Sequence, residues 1–361
     1  MKPRTNRYID SIKAYEPGKP VKELERELGI KNSVKLASNE NPIGLSSKVA
    51  DAVRENLLSM NRYPDPVAHD LSSALALKHK VSTGNIVIGN GSDEIISLLA
   101  NAFLDKGDEA LMPLPSFLMY EICVKIAKGI PVMVPLADYK IDFNKMVEKI
   151  NEKTRIIFLT NPFNPTGTIF TREEFINFSK DVPEDVLIVV DEAYIEFAGH
   201  TGCFNSLEPP LEDERVVSLR TFSKAYGLAG FRLGYGVMDI QLSEIIHKIR
   251  PPFNVNSLAQ AAGLAALHDD RFLNKSVESI LKGIDYLKAG LDGIGLEYCP
   301  THANFIMVNV DKDSYQVFND LLKLGVIVKS MKSYGFDNWI RVNAGTINEN
   351  KLFIEALKQV I

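Results

Sequence analysis

The sequence has few of the residues that cross-link small folds through disulfides or bind transition metals. Its 361 residues include three cysteines, six histidines and one tryptophan. The cysteines, Cys123, Cys203 and Cys299, are odd in number and form no Cys-x-x-Cys pair, and no His-Glu-x-x-His motif is present. Neither a disulfide framework nor a metal site is therefore indicated, and we expect all three thiols to be reduced.

Long apolar runs and an excess of one charge are also missing. Residues 1–7 are mostly polar and are followed by no apolar stretch, so no secretion signal is expected. Apolar runs such as residues 186–190 are far shorter than the ~20 residues that cross a bilayer. Lys and Arg number 41 against 46 Asp and Glu, a net charge of −5, with no long run of like charge. We therefore expect a cytoplasmic protein that binds neither membranes nor nucleic acid.

The chain contains a regular alternation of strand-like and helix-like segments. At roughly 150 residues per domain its length predicts two domains. Short β-branched runs alternate with stretches of helical period, which is typical of an α/β fold with a largely parallel sheet. The predicted strands are residues 86–88, 110–112, 131–136, 155–160, 186–190, 216–219 and 233–238.

The alternation of strand-like and helix-like segments ends at Pro251 and Pro252. A long helical pattern follows, then predicted strands at 304–310 and 339–343 and a closing helix through Phe353 and Leu357. We expect an N-terminal arm at 1–45 that joins the small domain, a large domain at 46–255 and a small α+β domain at 256–361.

Four polar clusters directly follow predicted strands. They begin at Gly89, Asn161, Asp191 and Thr221. In open α/β sheets the ligand crevice lies beyond the carboxyl ends of the strands, so these clusters are expected to line one site.

The first cluster, residues 89–93, runs into a helical pattern. The backbone N–H groups of Ser92 and Asp93, with the helix dipole, would suit a phosphate. The alternative is an ordinary glycine turn with a serine cap. A dinucleotide site is disfavoured because Glu94 occupies the place where Gly-x-Gly-x-x-Gly requires its last glycine.

The other clusters offer groups suited to Schiff-base chemistry. Lys224 lies among the hydroxyls of Thr221 and Ser223 and precedes Arg232, which favours a nucleophilic amine beside a phosphate. Asp191 ends an apolar strand, where a buried carboxylate requires a partner such as the pyridinium of pyridoxal phosphate. Tyr194 and Asn164 are candidate donors to that cofactor's phenolate oxygen. Taken one at a time, each residue has an ordinary explanation: Lys224 could be a solvated lysine, Asp191 a helix cap and Asn164 a turn residue. Their combination indicates a site for pyridoxal phosphate.

These residues resemble the fold type I pyridoxal-phosphate aminotransferases over nearly the whole chain, and within them most resemble the histidinol-phosphate aminotransferases. Eight segments carry the resemblance: Ala37-Ser38-Asn39-Glu40-Asn41-Pro42, Arg62-Tyr63-Pro64-Asp65, Gly91-Ser92-Asp93-Glu94, Asn164-Pro165-Thr166-Gly167, Asp191-Glu192-Ala193-Tyr194, Thr221-Phe222-Ser223-Lys224, Arg250-Pro251-Pro252-Phe253-Asn254-Val255-Asn256 and Ile340-Arg341-Val342-Asn343-Ala344-Gly345-Thr346. The resemblance implies a large cofactor-binding domain whose mixed, mostly parallel sheet lies between helices.

The resemblance also implies a role for each candidate residue. Lys224, Asp191 and Tyr194 would be catalytic. The cofactor would be held by these three together with Ser92, Asp93, Phe117, Asn164, Thr221, Ser223, Arg232 and, from the partner subunit of a homodimer, Tyr63. Tyr15, Asn39 and Arg341 would bind substrate, with Arg341 on its anionic group and Tyr15 closing over it. Phe117 stands where the family usually has a tyrosine stacked on the ring.

The implied reaction is transamination between histidinol phosphate and 2-oxoglutarate, which yields imidazole-acetol phosphate and glutamate in histidine biosynthesis. A general aromatic aminotransferase and a threonine-phosphate decarboxylase remain alternatives, since both would keep Lys224 and Asp191. A cofactor-sensing module of a transcription regulator is disfavoured, because the aminotransferase pattern starts within about 40 residues of Met1 and leaves no room for a DNA-binding region.

Overall fold

The computed structural model describes residues 8–12, 20–31, 33–199, 201–208 and 212–361. Its strands are β1 (Val34–Lys35), β2 (Ile86–Gly89), β3 (Glu109–Leu114), β4 (Ile130–Pro135), β5 (Thr154–Thr160), β6 (Leu187–Asp191), β7 (Val216–Thr221), β8 (Gly234–Val237), β9 (Phe305–Asn309), β10 (Val326–Ile327), β11 (Lys329–Ser330) and β12 (Trp339–Asn343). Its α-helices are α1 (Val21–Leu28), α2 (Ser47–Asn56), α3 (His69–His79), α4 (Ser92–Phe103), α5 (Leu118–Ile126), α6 (Phe143–Lys149), α7 (Arg172–Lys180), α8 (Ile195–Ala198), α9 (Ile240–Ile249), α10 (Ser257–Leu267), α11 (Asp270–Asp292), α12 (Ser314–Lys323) and α13 (Ile347–Val360). Short 3-10 helices cover Ile9–Ser11, Leu57–Ser59, Thr83–Asn85, Ala229–Phe231 and Lys332–Tyr334.

The central sheet contains the seven strands that the apolar runs predict for the large domain. Their order is β2-β8-β7-β6-β5-β3-β4. All neighbours are parallel except that β8 runs antiparallel to both β2 and β7. The predicted α/β fold with a mostly parallel, mixed sheet is therefore confirmed.

Helices cover both faces of this sheet. Because side chains alternate along a strand, Ile156 and Phe158 of β5 pack in the cluster that includes α4 and α5. Ile157 and Leu159 pack in the opposite cluster with α6 and α7. Burial on both faces explains why the strands are apolar throughout instead of alternating with polar residues. It also leaves the strand ends as the place where polar side chains gather.

A smaller sheet, β11-β12-β9, is antiparallel and packs on α11 and α13. It confirms the strands predicted at 304–310 and 339–343 and the predicted closing helix. The N-terminal arm joins this part of the molecule, because β1 pairs in parallel with β10. The apolar patterns do not predict β1, β10 or β11, each of which is two residues long.

Helix α10 marks the junction between the two parts. Its Ala259 and Ala262 pack in the same cluster as Val49 of α2 and Leu71 of α3. We retain the division into 1–45, 46–255 and 256–361 as a proposal, with α10 packed on the large-domain side of the last boundary.

No helix in the described ranges is long and apolar enough to cross a membrane. Cys123, Cys203 and Cys299 are all free thiols.

Candidate functional site

A cavity of about 370 Å³ opens where the carboxyl ends of β5, β6 and β7 meet the amino end of α4. Most of the predicted site residues line it: Ser92, Asp93, Phe117, Asn164, Asp191, Tyr194, Thr221, Ser223, Lys224 and Arg232. Because parallel strands end at one edge of a sheet, four clusters that lie far apart in the sequence come together there.

One end of the cavity is shaped to admit an anion. Helix α4 starts at Ser92, and its N-cap is Gly91, which has no side chain to occupy the first-turn N–H groups. Gly91 has φ +81°, and a Cβ there would lie 2.9 Å from Arg232 Nη2. A Cβ on Gly234 would lie 2.4 Å from the Ser92 nitrogen. Glycine at both positions therefore allows the helix start and the Arg232 guanidinium to line one concave surface.

The charge at this end is balanced by Asp93. Its Oδ2 lies 3.3 Å from Arg232 Nη2, and both side chains are partly exposed. Burial raises the pKa of Asp93, and the charge of Arg232 opposes that rise. Arg232 itself has a left-handed backbone, φ +57°, directly after the 3-10 turn Ala229–Phe231.

Asp191 lies at the buried end of β6. Its Oδ2 accepts a hydrogen bond of 2.7 Å from the Tyr120 hydroxyl, and its Oδ1 accepts one of 3.1 Å from the Ala193 N–H. No cationic side chain of the described residues pairs with it. Burial raises its pKa to about 6, and these two hydrogen bonds oppose the rise. A carboxylate in this state has unused acceptor capacity for a cationic ligand.

Lys224 faces the same cavity. Its Nζ donates to the Ser38 carbonyl at 3.2 Å and lies 5.7 Å from the centre of the Tyr194 ring. Burial, with the charge of Arg341 as the next cause, lowers its pKa to about 8. The cluster after β7 is ordered locally, because the Ser223 N–H donates to Thr221 Oγ1 at 3.1 Å. With this lowered pKa, about a tenth of the Lys224 amine is unprotonated and nucleophilic at pH 7, far more than for an ordinary lysine.

Two buried donors are fixed by partners outside the cavity. Tyr194 Oη accepts from Asn39 Nδ2 at 3.0 Å, so its own proton remains available. Asn164 Oδ1 accepts from Arg341 Nη1, which leaves the Asn164 amide N–H₂ free to donate. Burial raises the pKa of Tyr194, so its hydroxyl stays protonated.

Arg341 and Asn39 do not line the cavity but lie directly behind its wall. Arg341 is 7% exposed; its Nη2 donates to the Ala37 carbonyl at 3.1 Å and its guanidinium lies 5.2 Å from the Phe305 ring centre. Its Nε has no hydrogen-bond partner, and no carboxylate of the described ranges pairs with it. A buried guanidinium with an unused N–H group has a donor left for an anion.

The two remaining predicted residues lie elsewhere. Tyr63 is 82% exposed and stacks on Phe253 with ring centres 4.6 Å apart, away from the cavity of its own chain. Tyr15 lies outside the described residues.

Sequence reasoning missed several residues of the site. Ser38, Glu40 and Thr160 line the cavity, and Tyr120 lies beneath it as the partner of Asp191. A signal for Tyr120 was present: it is a tyrosine within an apolar helical pattern three residues after Phe117, and a buried tyrosine needs a hydrogen-bond partner.

Comparison with known families agrees with this geometry. Residues 31–357 match the family described as aminotransferase class I and II. The chain belongs to this family. The cavity described above is therefore the candidate active site of this aminotransferase.

Relatives of this aminotransferase match over its full length. It is 48% identical to "Histidinol-phosphate aminotransferase 2" of Carboxydothermus hydrogenoformans, with 98% of each chain covered. It is 43% identical to the histidinol-phosphate aminotransferase of Moorella thermoacetica, covering 99% of this chain and 93% of the relative. The resemblance inferred from the eight segments is thereby confirmed.

Solved structures give the same result. The crystal structure of histidinol-phosphate aminotransferase from Sinorhizobium meliloti, in complex with pyridoxal-5′-phosphate, superposes with a TM-score of 0.91 at 28% identity and covers 100% of this chain and 98% of its own. A Thermus thermophilus aspartate aminotransferase variant, at 22% identity, shares the fold with a TM-score of 0.86 over the whole of both chains. The predicted fold type I architecture is confirmed.

Proposed function

We propose that this aminotransferase converts L-histidinol phosphate and 2-oxoglutarate into imidazole-acetol phosphate and glutamate, a step of histidine biosynthesis, with pyridoxal 5′-phosphate as cofactor. The structural observation that carries the proposal is the buried, unpaired Arg341 guanidinium behind a cavity that holds a lysine with lowered pKa. Full-length similarity to proteins named histidinol-phosphate aminotransferase supports it.

The residues present fit that cofactor. The start of α4 and Arg232 offer a phosphate site in which a side chain at Gly91 or Gly234 would clash. Asp191 lacks a cationic partner within the described chain and would pair with the pyridine nitrogen. Tyr194 and Asn164 have free donors for the phenolate oxygen, and Phe117 offers an aromatic face. Thr221 and Ser223 would add hydroxyls near the phosphate.

When bound, the cofactor supplies an aldehyde that condenses with amines and a protonated ring that draws electrons from the neighbouring carbon. The protein's part in the reaction is binding and proton transfer. Lys224 would hold the cofactor through its Nζ, and the same Nζ, when free, would accept the proton from the substrate carbon that bears the amino group and later return it. The lowered pKa of Lys224 suits this role, since an amine that titrates near pH 8 can take and return a proton at physiological pH.

Arg341 would serve both substrates. Histidinol phosphate carries a phosphate, whereas glutamate and 2-oxoglutarate carry carboxylates. A planar guanidinium forms paired hydrogen bonds with either group. Its fixed contacts to Asn164 and Ala37 hold it at the edge of the site before substrate arrives. Asn39 orients Tyr194, and Tyr15 would close over the substrate.

The substrate assignment is tested by assaying the purified enzyme with histidinol phosphate, phenylalanine and threonine phosphate, each with 2-oxoglutarate. We expect kcat/KM for histidinol phosphate to exceed that for phenylalanine by at least about 100-fold, because a site built for a phosphate loses affinity when that group is missing. Equal values for phenylalanine would indicate a general aromatic aminotransferase. Release of carbon dioxide from threonine phosphate would indicate the decarboxylase.

We also propose a homodimer with shared active sites that works in the cytoplasm. Residues 57–67 expose five large apolar side chains: Leu57, Leu58, Met60, Tyr63 and Val67. Exposed apolar groups concentrated in one segment favour an interface. The segment is held firmly, since Arg250 Nη2 donates to the Pro66 carbonyl at 2.7 Å and Gln260 Nε2 to the Asp65 carbonyl at 2.9 Å. Tyr63 is exposed on this segment and would reach the cofactor phosphate of a partner subunit.

Subunit exchange tests the shared site. Lys224→Ala protein and Tyr63→Ala protein are mixed, and a heterodimer then contains one doubly damaged site and one intact site. With random reassortment about half the dimers are heterodimers, so roughly a quarter of wild-type activity should return. If tagged co-purification confirms exchange and activity remains the sum of the two variants, Tyr63 does not act across the interface.

A further inference from the structure

Tyr120 of α5 lies beneath the cavity and is held by aromatic packing. It is fully buried, and its ring stacks on Phe158 with centres 4.7 Å apart and an interplanar angle of 7°. Phe117, which lines the cavity, meets it edge to face at 5.6 Å. The ring therefore has a single orientation, and the hydroxyl is its only group that forms hydrogen bonds.

The hydroxyl joins two strand ends. It lies 2.7 Å from Asp191 Oδ2 and 2.9 Å from Thr160 Oγ1. An ionised carboxylate only accepts hydrogen bonds, so Tyr120 donates to Asp191 and Thr160 donates to Tyr120. Thr160 and Asp191 are paired residues on the neighbouring parallel strands β5 and β6, so the tyrosine bridges positions that the sheet already fixes.

Both donors to Asp191 are neutral. They are the Tyr120 hydroxyl and the Ala193 N–H, one on each carboxylate oxygen. Neutral donors fix the plane of a carboxylate and stabilise its charge without cancelling it. The full negative charge of Asp191 therefore remains available to a cationic group in the cavity, which an arginine or lysine at position 120 would have prevented.

We propose that Tyr120 is a positioning residue for the transamination: its hydroxyl holds the Asp191 carboxylate ionised and aimed at the ring nitrogen of the cofactor. This inference rests on the proposed function. In this proposal Tyr120 acts entirely through Asp191, because Tyr120 does not itself line the cavity of the described structure.

The test is Tyr120→Phe in the holoenzyme, which removes the hydroxyl and keeps the aromatic stack. We expect the dissociation constant for pyridoxal phosphate to rise and kcat to fall, each roughly 10-fold, with substrate KM changed less than about twofold, because one hydrogen bond to a charged group is lost. Tyr235→Phe is the matched control. Tyr235 is also buried, its hydroxyl lies 2.9 Å from His79 Nε2 and neither residue lines the cavity, so cofactor affinity and kcat should change less than about twofold.

A double-mutant cycle separates positioning from packing. In an Asp191→Asn background, Tyr120→Phe should alter cofactor affinity less than about twofold, because the charge on which the hydroxyl acts is gone. An equal loss in both backgrounds, or equal losses in Tyr120→Phe and Tyr235→Phe, would overturn the proposal. Should Tyr120→Phe fail to fold, Thr160→Val removes only the outer donor and should weaken cofactor binding by about threefold; unchanged binding would count against the proposal. If the wild type prefers another amine substrate, the proposed substrate fails, and the Tyr120 measurements are made with the substrate that reacts.

Discussion

Asp191 and Glu192 are consecutive carboxylates at the end of β6, yet their surroundings differ. Glu192 is fully buried, and its Oε2 lies 2.8 Å from Arg220 Nε. Ser206 adds hydrogen bonds from its N–H and its hydroxyl at 2.7 and 2.9 Å. Asp191 receives only neutral donors and faces a cavity. One charge is compensated inside the protein, and the other is left for a ligand.

The same contrast recurs on β7 and the loop after it. Arg220 is paired with Glu192 and also donates to Asn205 Oδ1 at 2.7 Å. Lys224 forms no ion pair with the described residues, and its pKa is lowered. A paired buried charge supports structure, whereas an unpaired one at a cavity marks chemistry. Charged residues that look alike in the sequence thus divide into two groups: those with an ion-pair partner inside the protein are structural, and those without one are candidates for function.

The largest effect is expected at Lys224. Lys224→Ala removes the proposed covalent anchor of the cofactor and the proposed proton-transferring amine, so turnover should fall on the order of 10⁴-fold or more. The pH-dependent visible absorbance of the holoenzyme should also be lost. Lys125→Ala is the control, since Lys125 forms an ion pair with Glu121 on α5. This variant should retain both turnover and the visible absorbance. An unchanged spectrum in Lys224→Ala would remove Lys224 from the proposed role.

Breaking the structural pair should affect folding instead of chemistry. Glu192→Gln leaves the buried Arg220 without its ion-pair partner and should lower the free energy of unfolding by about 3–5 kcal/mol, as measured by denaturant titration. The kcat of the protein that remains folded should change much less than in Asp191→Asn. A variant as stable as the wild type would show that the pair does not stabilise the fold.

Replacing Asp191 should have the opposite result, with a large loss of activity and no loss of stability. Asp191→Asn should lose on the order of 10²-fold or more in kcat, because the ring nitrogen would lose its proposed anionic partner. Its apo form should be no less stable than wild type above about pH 6, since the folded pKa of Asp191 exceeds the usual value and ionisation opposes folding. Near wild-type turnover would contradict the role of Asp191.

The smallest effect concerns the pH dependence of cofactor capture by the apo enzyme. Only the neutral Lys224 amine reacts, and its pKa is about 8 instead of the usual 10.5. The rate of absorbance change on adding pyridoxal phosphate should rise about 10-fold per pH unit below pH 8 and level off above it. A rate that still climbs steeply above pH 9 would mean that Lys224 keeps an ordinary pKa. The sign follows from burial, which disfavours the charged amine.

The sequence by itself determined the sheet strands and the polar residues that follow them. Apolar runs, their lengths and the turn residues between them are local features, and a parallel sheet necessarily brings its carboxyl ends to one edge. This is why the sequence alone assigns Asp191, Lys224, Asn164 and Ser92 to one site.

Only the tertiary structure decided which partner each charge has. Asn39 meets Tyr194 and Asn343 across long sequence separations, and Arg341 reaches Asn164 from the small sheet. Tyr120 is joined to Asp191 by a hydroxyl whose direction no periodicity encodes. Pairing of this kind depends on distances between segments far apart in the chain, and local sequence patterns hold no record of those distances.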